Sequence, residues 1–240
     1  MIDLSFVSLF SFRDVLKKIT QAESKKKKLL LFALNVHSLH LMSEQKKVTQ
    51  AYLTADIVFP DGVPILWLLR IKKYPRCGRV SGTDLVKTLL KTKGMKIFLL
   101  GSTDYVLNKM VQKYGLVKKG GTIAGFYGPP QGETFLENRH IRELIHQSRA
   151  NVLLVSLGQP KQEVWLAKNF RYLPVYVGIG VGSAFDILSG KTPRAPKWFR
   201  ESGFEWLWRI ILEPRRLAKR YWEDCTFLLR LILSSMKENR

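Results

Sequence analysis

The stretch Val152–Trp165 reads VLLVSLGQPKQEVW, and the arrangement of the rest of the chain follows from it. It opens with a continuous apolar run, which is typical of a strand buried on both faces of a parallel sheet. The run ends at Gly158, and Pro160 suits the first turn of a helix. The polar residues that follow therefore lie where open α/β sheets bind ligands and where backbone N–H groups favour anions. An ordinary βα turn with a solvated helix start fits the same residues.

Apolar strands and helical segments alternate through the first 190 residues. Further strands are predicted at Leu29–Leu34, 55–60, Lys96–Leu100, Thr122–Phe126 and Val175–Val177, and helices over 6–22, 38–53, 65–71, 84–93, 104–114, 134–149 and 160–169. This order predicts an α/β fold, a Rossmann-like, mostly parallel sheet with flanking helices and right-handed crossovers. Loops after four strands, at Asn35, Gly101, Gly158 and Gly178, should line one edge and form a cleft.

Composition limits the classes of protein that fit. With 240 residues, of which 46% are hydrophobic, the chain can bury a large core. Two cysteines with no metal-ligand or disulfide spacing favour a reducing cytoplasm. No signal peptide or uncharged apolar run of membrane-spanning length is evident. The net charge of +21 predicts an anionic partner, which is nucleic acid, an anionic membrane surface or a phosphate-rich substrate.

The composition changes after Gly190. An α/β domain over residues 1–190 and a helical appendage over 191–240 are predicted. In the appendage, basic residues alternate with apolar and aromatic ones, including Trp198, Trp206, Trp208 and Trp222. Such a mixture at helical spacing is typical of an element that lies in a membrane interface. The alternative is a pair of helices docked on their own domain, with the basic residues facing water.

One carboxylate is better placed than the others for acid–base chemistry. Asp61 lies between Pro60 and Gly62, in a rigid turn that follows a strand. It is the first candidate for a general base, and Asp186 is the second. A turn aspartate that bonds its own backbone is the alternative. The sequence contains no P-loop, nucleophile elbow or Cys/His dyad, so a bound pyrophosphate would rely on Arg, Lys and backbone N–H groups.

Two other patterns carry weaker signals. His37 and His40 are three residues apart and can share a helical face, but the sequence shows no cysteine or carboxylate cluster to complete a zinc site. We therefore predict no metal there. The glycines of Gly178–Gly182 alternate, unlike those of the dinucleotide-binding fingerprint. They still allow a ligand to approach the backbone closely.

A set of motifs runs in order along nearly the whole chain. They are Asn35, Ala55-Asp56, Pro60-Asp61-Gly62, Arg79-Val80-x-Gly82-x-Asp84, Gly125-x-Tyr127, Leu157-Gly158-x-Pro160-Lys161-Gln162-Glu163, Gly180-Val181-Gly182-x-x-x-Asp186, Gly190-x-x-x-Arg194-Ala195-Pro196, Glu205-Trp206-x-x-Arg209 and Pro214-x-Arg216. In this pattern the chain resembles the WecG/TagA/CpsF glycosyltransferase family. The absence of an Asp-x-Asp pair separates it from many metal-dependent nucleotide-sugar transferases.

The resemblance implies an inverting, metal-independent hexosyltransferase of cell-surface polysaccharide biosynthesis. Such enzymes move glucose, N-acetylmannosamine or N-acetylmannosaminuronic acid from a UDP-sugar to a polyprenyl-diphosphate-linked saccharide. They work in the cytoplasm, peripherally on the inner face of the cell membrane. We therefore expect UDP-sugar, the lipid-linked acceptor and an anionic membrane surface as partners, and no cofactor. The apolar tail also suits packing against a second copy in a homo-oligomer.

The resemblance also implies roles for residues. Asp61 matches the proposed general base, and the other active-site positions are Asn35, Arg79 and Gln162. The nucleotide side comprises Tyr127, Asp186 and the glycines at Gly101, Gly158, Gly180 and Gly182, and the basic residues expected to close over the diphosphate are Arg209, Arg216 and Lys219. Two positions depart from the family. Ala33 stands where threonine is common, and Lys219 stands where arginine is common. Lysine keeps the positive charge but lacks the bidentate fork of arginine.

Two other functions compete with this interpretation. A basic nucleic-acid-binding module would explain the charge, but the sequence shows no helix-turn-helix, zinc-finger or RNP signature, so nucleic acid is not expected as a partner. A non-catalytic scaffold of a polysaccharide assembly complex would keep the same fold without turnover.

Overall fold

In a computed structural model, which describes residues 3–75, 77–130 and 139–238, six strands form one sheet among twelve α-helices. The strands are β1 (Leu29–Leu34), β2 (Ile57–Pro60), β3 (Ile97–Gly101), β4 (Ile123–Tyr127), β5 (Val152–Ser156) and β6 (Val177–Gly180). The helices are α1 (Phe12–Ser24), α2 (Val36–Glu44), α3 (Lys46–Leu53), α4 (Val63–Ile71), α5 (Gly82–Leu89), α6 (Asp104–Tyr114), α7 (Arg139–Ser148), α8 (Lys161–Asn169), α9 (Ala184–Ser189), α10 (Lys197–Glu201), α11 (Glu205–Leu212) and α12 (Pro214–Glu238).

The sheet is entirely parallel, with the order β2-β1-β6-β5-β3-β4. The stretch quoted at the outset supplies β5, which pairs with β3 on one side and β6 on the other. Leu154 is in register with Leu99 and Ile179. The predicted α/β class is therefore confirmed, and all carboxyl ends of the strands meet at one edge.

Alternate residues of each strand feed two separate cores. Leu31, Leu99 and Leu154 pack on one face of the sheet, under α1, α5, α6 and α9. Phe32 and Leu153 pack on the other face, under α2, α3, α4, α7 and α8. Because both faces are covered, every strand needs apolar residues at successive positions, and this explains the unbroken apolar runs.

Several predicted boundaries shift. The first helix begins at Phe12 rather than residue 6, because Ser11 and Asp14 form a capping box there. The helix predicted over 38–53 is two helices, α2 and α3, interrupted at Gln45. The helix predicted over 134–149 is seen as α7, and the part before residue 139 lies outside the described residues.

The prediction for the last strand was wrong. Val175–Val177 was expected to be the strand and Gly178 a loop residue, whereas β6 runs from Val177 to Gly180. A Cβ on Gly178 would stand 2.7 Å from the ring of Phe170. The glycine is there because an aromatic ring packs directly on the strand, so its role is close packing and not chain reversal.

The C-terminal helices fold back onto the α/β part. One face of α12 packs against α2 and α4, with Phe227, Leu231 and Ile232 in contact with the core. The opposite face leaves Trp222, Leu229 and Leu233 exposed. Docking on the domain, one of the two alternatives for the appendage, is thus seen, and the same helix also exposes an apolar face. Within the described ranges, no helix has both the length and the apolar character needed to cross a bilayer.

Candidate active site

A cavity of about 880 Å³ lies between the carboxyl edge of the sheet and the C-terminal helices. Each of the six strands leads into its wall, through Asn35, Asp61, Ser102, Gly128, Gly158 and Val181. The facing wall comes from α9, α11 and α12. The cleft predicted at the strand ends is thus present, and the appendage closes it from above.

Asp61 stands at the end of β2, on the floor of this cavity. Its backbone N–H donates to the Leu34 carbonyl over 2.8 Å, which ties the carboxyl end of β2 to that of β1. Gly62 then turns the chain at φ +101°, a conformation that side chains disfavour. A Cβ on Gly82 would lie 3.5 Å from Asp61 Oδ2, so the start of α5 comes close to the carboxylate.

The environment of Asp61 makes its carboxyl group unusually basic. Burial, followed by the negative charge of Glu205, raises the pKa of Asp61 from 3.8 to about 6. Arg79, Arg209 and the Gly82 N–H act in the opposite direction. A carboxylate with this pKa is still largely ionised at neutral pH but accepts a proton more readily than a free aspartate.

Arg79 does not line the cavity and acts from behind Glu205. One of its terminal nitrogens donates to Glu205 over 2.9 Å, and the other donates to the Arg200 carbonyl. A second ion pair, between Arg194 and Asp84 at 2.7 Å, joins the same two parts of the chain. Arg79 therefore ties α10 and α11 to the α/β part and places the charge of Glu205 beside Asp61.

Asn35 caps α2, and its side chain also faces the cavity. Its Oδ1 accepts from the Ser38 N–H over 2.9 Å, and its Nδ2 donates to Gln159 Oε1 over 3.3 Å. Ala33, where the family commonly has threonine, lines the same region, and its carbonyl accepts from the Tyr52 hydroxyl over 2.9 Å. The position thus offers a methyl group and no hydroxyl to a ligand.

Gln162 is buried at the start of α8 and joins two neighbouring loops. Its Oε1 accepts from the Gly182 N–H over 3.1 Å, and its Nε2 donates to Glu163 Oε1 over 2.8 Å. Burial raises the pKa of Glu163 to about 7. Glu163 therefore anchors Gln162 from below, and the amide of Gln162 holds the Gly182 loop at the cavity wall.

The four predicted glycines divide into two groups. At Gly158 and Gly182, which line the cavity at positive φ, an added Cβ would meet nothing within 4 Å. The backbone is open to a ligand at these two positions. Gly180 also lines the cavity, but a Cβ there would lie 3.1 Å from the Gln162 amide nitrogen. Gly101 does not line the cavity, and its lack of a side chain allows the end of β3 to pack closely against β5.

Of the two side chains that the family resemblance assigns to nucleotide binding, Tyr127 and Asp186, only Asp186 faces the cavity. Asp186 lines it and accepts from Ser102 Oγ over 3.2 Å, with Lys191 Nζ 3.3 Å away. The ring of Tyr127 instead packs edge-on against His140, 5.5 Å between centroids, outside the lining. The loop directly after Tyr127 forms the wall in its place.

The basic residues of the appendage also divide. Arg209 and Arg216 line the cavity, near Glu205 and Glu213 respectively. Lys219 does not line it: its side chain is 90% exposed and lies 3.9 Å from Glu223. The family resemblance implied a diphosphate contact for Lys219, but the helical register turns its side chain outward.

Sequence reasoning missed Arg220 and Glu205 as cavity residues. The inward face of α12 comprises Arg216, Leu217, Arg220 and Tyr221, and Glu213, directly before the helix, also lines the cavity. These positions follow the spacing of one helical face, which was the available signal for Arg220. Glu205 was visible only as part of a motif, without a role.

The two histidines gain a ligand that was not visible in the sequence. His37 and His40, on α2, approach Asp224 on α12, and the candidate ligand atoms of the three lie within 4.8 Å of one another. Three such groups could hold a metal ion. The premise that no carboxylate accompanies the histidines was therefore wrong, because Asp224 is distant in sequence but adjacent in the fold.

Comparison with known families agrees with this geometry. The profile of the glycosyl transferase WecG/TagA/CpsF family matches residues 2–240. Because the match covers essentially the whole chain, the chain belongs to this family. Membership indicates a glycosyltransferase of cell-surface polysaccharide biosynthesis.

Proposed function

We propose that this member of the WecG/TagA/CpsF family is an inverting, metal-independent transferase that moves a hexose from a UDP-sugar to a polyprenyl-diphosphate-linked saccharide at the cytoplasmic membrane face. The observation that carries the proposal is the position of Asp61. Its carboxylate has a pKa of about 6 and lies on the floor of a cavity whose opposite wall carries arginines. A base and an anion-binding wall across one cleft are what a glycosyl displacement needs.

In this mechanism Asp61 takes the proton of the acceptor hydroxyl. The hydroxyl oxygen then forms a bond to the anomeric carbon, and the bond from that carbon to the β-phosphate oxygen breaks. The electron pair of that bond leaves with UDP, which gains negative charge as the bond breaks. One displacement from the opposite face inverts the configuration at the anomeric carbon.

Arg209 and Arg216 are placed to stabilise the departing diphosphate. Both line the cavity wall opposite the strand ends, and charge-assisted hydrogen bonds from arginine suit phosphate oxygens. The open backbone at Gly158 and Gly182 adds room for the phosphates to approach the loops. These groups supply positive charge that a divalent cation supplies in metal-dependent transferases.

The test pairs an activity assay with a binding assay on the full chain. Asp61→Asn should reduce transfer from a radiolabelled UDP-sugar to a lipid-linked acceptor by at least about a hundredfold, the scale of a lost general base. UDP affinity should stay close to that of the wild type, with and without EDTA. For the wild type, kcat/KM should rise with pH through an apparent pKa near 6, since only ionised Asp61 accepts a proton.

Three outcomes would contradict the proposal. Turnover of Asp61→Asn at the wild-type rate would exclude Asp61 as the base. No transfer from glucose, N-acetylmannosamine or N-acetylmannosaminuronic acid donors, despite tight UDP binding, would favour a scaffold instead. Loss of UDP binding on chelation would overturn metal independence.

A further inference from the structure

We propose that Arg220 is a further residue that binds the donor diphosphate, and that buried Asp224, held by His37 and His40, positions it. The inference rests on the proposed function, since it assumes a nucleoside diphosphate in the cavity. Neither Arg220 nor the cluster of His37, His40 and Asp224 has a role in the proposed mechanism. In this proposal they act together.

Arg220 has donors to offer. It lines the cavity one helical turn beyond Arg216, with its side chain 35% exposed. Its Nε is buried, lies nearest to Asp224 and makes no hydrogen bond to any described residue, so the donors that a cavity ligand can reach are the terminal nitrogens. The guanidinium group lies 5.4 Å from the centre of the Tyr221 ring, which limits its orientation. The Nε of Arg79 likewise makes no hydrogen bond to a described residue, but its two terminal nitrogens already donate to Glu205 and to the Arg200 carbonyl.

Asp224 is a carboxylate that the fold fixes firmly. It is only 3% exposed, and its Oδ1 lies 3.0 Å from His37 Nδ1 and 2.9 Å from His40 Nδ1. His40 in turn stacks on Phe227, with centroids 4.8 Å apart. Burial acts to raise the pKa of Asp224, but the histidine hydrogen bonds and nearby Arg220 outweigh it and hold that pKa below its ordinary value.

The two oxygens of Asp224 have different neighbours. The histidines occupy Oδ1, and Oδ2 lies 3.7 Å from Arg220 Nε. At that distance the carboxylate attracts the guanidinium group without using up a hydrogen-bond donor. Arg220 is thus held at the cavity wall while its N–H groups remain available to phosphate oxygens. Both histidines lie on α2, and Asn35, the N-cap of that helix, lines the same cavity. One helix therefore positions both Asn35 and the histidines that hold Asp224.

The hydrogen-bonded arrangement fits the cluster better than a metal site does. His37 Nδ1 and His40 Nδ1 both lie within hydrogen-bond distance of the same oxygen, Asp224 Oδ1. A guanidinium group on the other oxygen would also repel a second cation nearby. We therefore assign the cluster to positioning, and a cation there is an outcome that the experiment must test.

The first experiment compares two neighbouring basic residues in the full-length protein. Arg220→Gln and Lys219→Gln each remove one positive charge from α12, but only Arg220 lines the cavity. Calorimetric titration with UDP and with uridine separates contacts to the diphosphate from contacts to the nucleoside. Arg220→Gln should weaken UDP binding about tenfold, as expected for one charge-assisted hydrogen bond, and leave uridine binding unchanged. Lys219→Gln should stay within about twofold of the wild type, the scale of a screened surface charge.

Equal losses of UDP affinity in the two variants would show that only the overall charge matters, and this would overturn the inference. A matching loss of uridine affinity in Arg220→Gln would overturn it as well. A wild type that binds uridine but gains nothing from the diphosphate would contradict the proposed function itself. The two failures are therefore distinguishable in one data set.

The second experiment tests positioning through Asp224. Asp224→Asn should weaken UDP binding, and the double variant Arg220→Gln/Asp224→Asn should be no weaker than Arg220→Gln alone, because both changes remove the same contact. Additive losses, or a loss of uridine affinity in Asp224→Asn, would show a merely structural role. Zn²⁺ that raises the Tm of the wild type but not of Asp224→Asn would identify a cation site and overturn the assignment.

Discussion

At the scale of single residues, Asp61 and Glu163 both have raised pKa values. The cause is the same, but the two carboxyl groups serve different roles. Burial raises the pKa of both Asp61 and Glu163. Asp61 lines the cavity, where an acceptor hydroxyl can reach it, and arginine charges partly offset the effect of burial. Glu163 lies beneath Gln162 and is 1% exposed. Only Asp61 can exchange a proton with a ligand, so the burial of Glu163 should appear in stability instead.

Replacing Glu163 should change how stability depends on pH. Its pKa is about 7 in the folded protein and near 4.5 when unfolded. The contribution of Glu163 to stability is therefore complete below about pH 4.5 and is lost as pH rises through 7, because burial disfavours the ionised carboxylate. Glu163→Gln cannot ionise, so its unfolding free energy relative to wild type should increase by roughly 2 kcal/mol between pH 5 and pH 8.

Urea unfolding at both pH values measures that difference. Any fixed cost of the new amide cancels, because only the change with pH is compared. Glu201→Gln, at an exposed carboxylate that pairs with exposed Lys197, serves as the control and should follow the wild type. Parallel stability curves for Glu163→Gln and wild type would show that Glu163 is not buried as a neutral acid.

At the scale of elements, the ends of β3 and β5 come unusually close. Gly101 has φ +101°, and a Cβ there would stand 2.4 Å from the Ser156 carbonyl oxygen. The same carbonyl accepts from the Ser102 N–H over 3.0 Å. Ser102 Oγ then reaches Asp186. The close approach of two strands thus sets the position of one cavity loop.

Gly101→Ala should therefore destabilise the fold by about 1–3 kcal/mol, since the backbone on both strands must move. Gly94→Ala is the matched control: Gly94 has φ +87°, but nothing lies within 4 Å of its Cβ position. The control reports the cost of positive φ alone. The difference in urea midpoint between the two variants measures the clash. Equal losses would mean that the contact with β5 is unimportant.

Elements and motifs could be predicted from the sequence where the signal is local. The apolar runs gave five of the strands nearly to the residue, because sheets covered on both faces impose that pattern. The boundary of β6 failed, since the glycine at 178 accommodates Phe170 and no local rule reveals a distant ring. The family resemblance likewise implied that Lys219 contacts the diphosphate, whereas the register of α12 directs Arg220 inward. The contact of Asp224 with His37 and His40 spans most of the chain and has no local signature.

At the scale of the whole molecule, the net charge of +21 coincides with an exposed apolar face on the appendage. On α12, Trp222 is 73% exposed, Leu229 60% and Leu233 61%. Their spacing of seven and four residues places them on one side of the helix, away from the docked face. Exposed tryptophan and leucine beside basic residues suit the interface of an anionic bilayer. The proposed function at a membrane face therefore predicts that this face, here called the outer face of α12, contacts the membrane.

Replacing the outer face should weaken membrane binding without touching the site. The triple variant Trp222→Gln/Leu229→Gln/Leu233→Gln should bind vesicles of mixed phosphatidylcholine and phosphatidylglycerol at least about tenfold more weakly, because apolar contact with the acyl boundary is lost. Its UDP affinity and urea midpoint should match the wild type, since the three side chains are largely exposed.

A control triple at exposed apolar positions elsewhere, Leu53→Gln/Trp67→Gln/Tyr172→Gln, separates the outer face from general surface hydrophobicity. It should sediment with vesicles as the wild type does. Added salt should weaken both the wild type and the control, because the basic charges contribute through screened attraction. If the outer-face triple bound as tightly as the control, the charge alone would hold the protein to the membrane, and the exposed apolar residues of α12 would need another partner, such as a second copy of the chain.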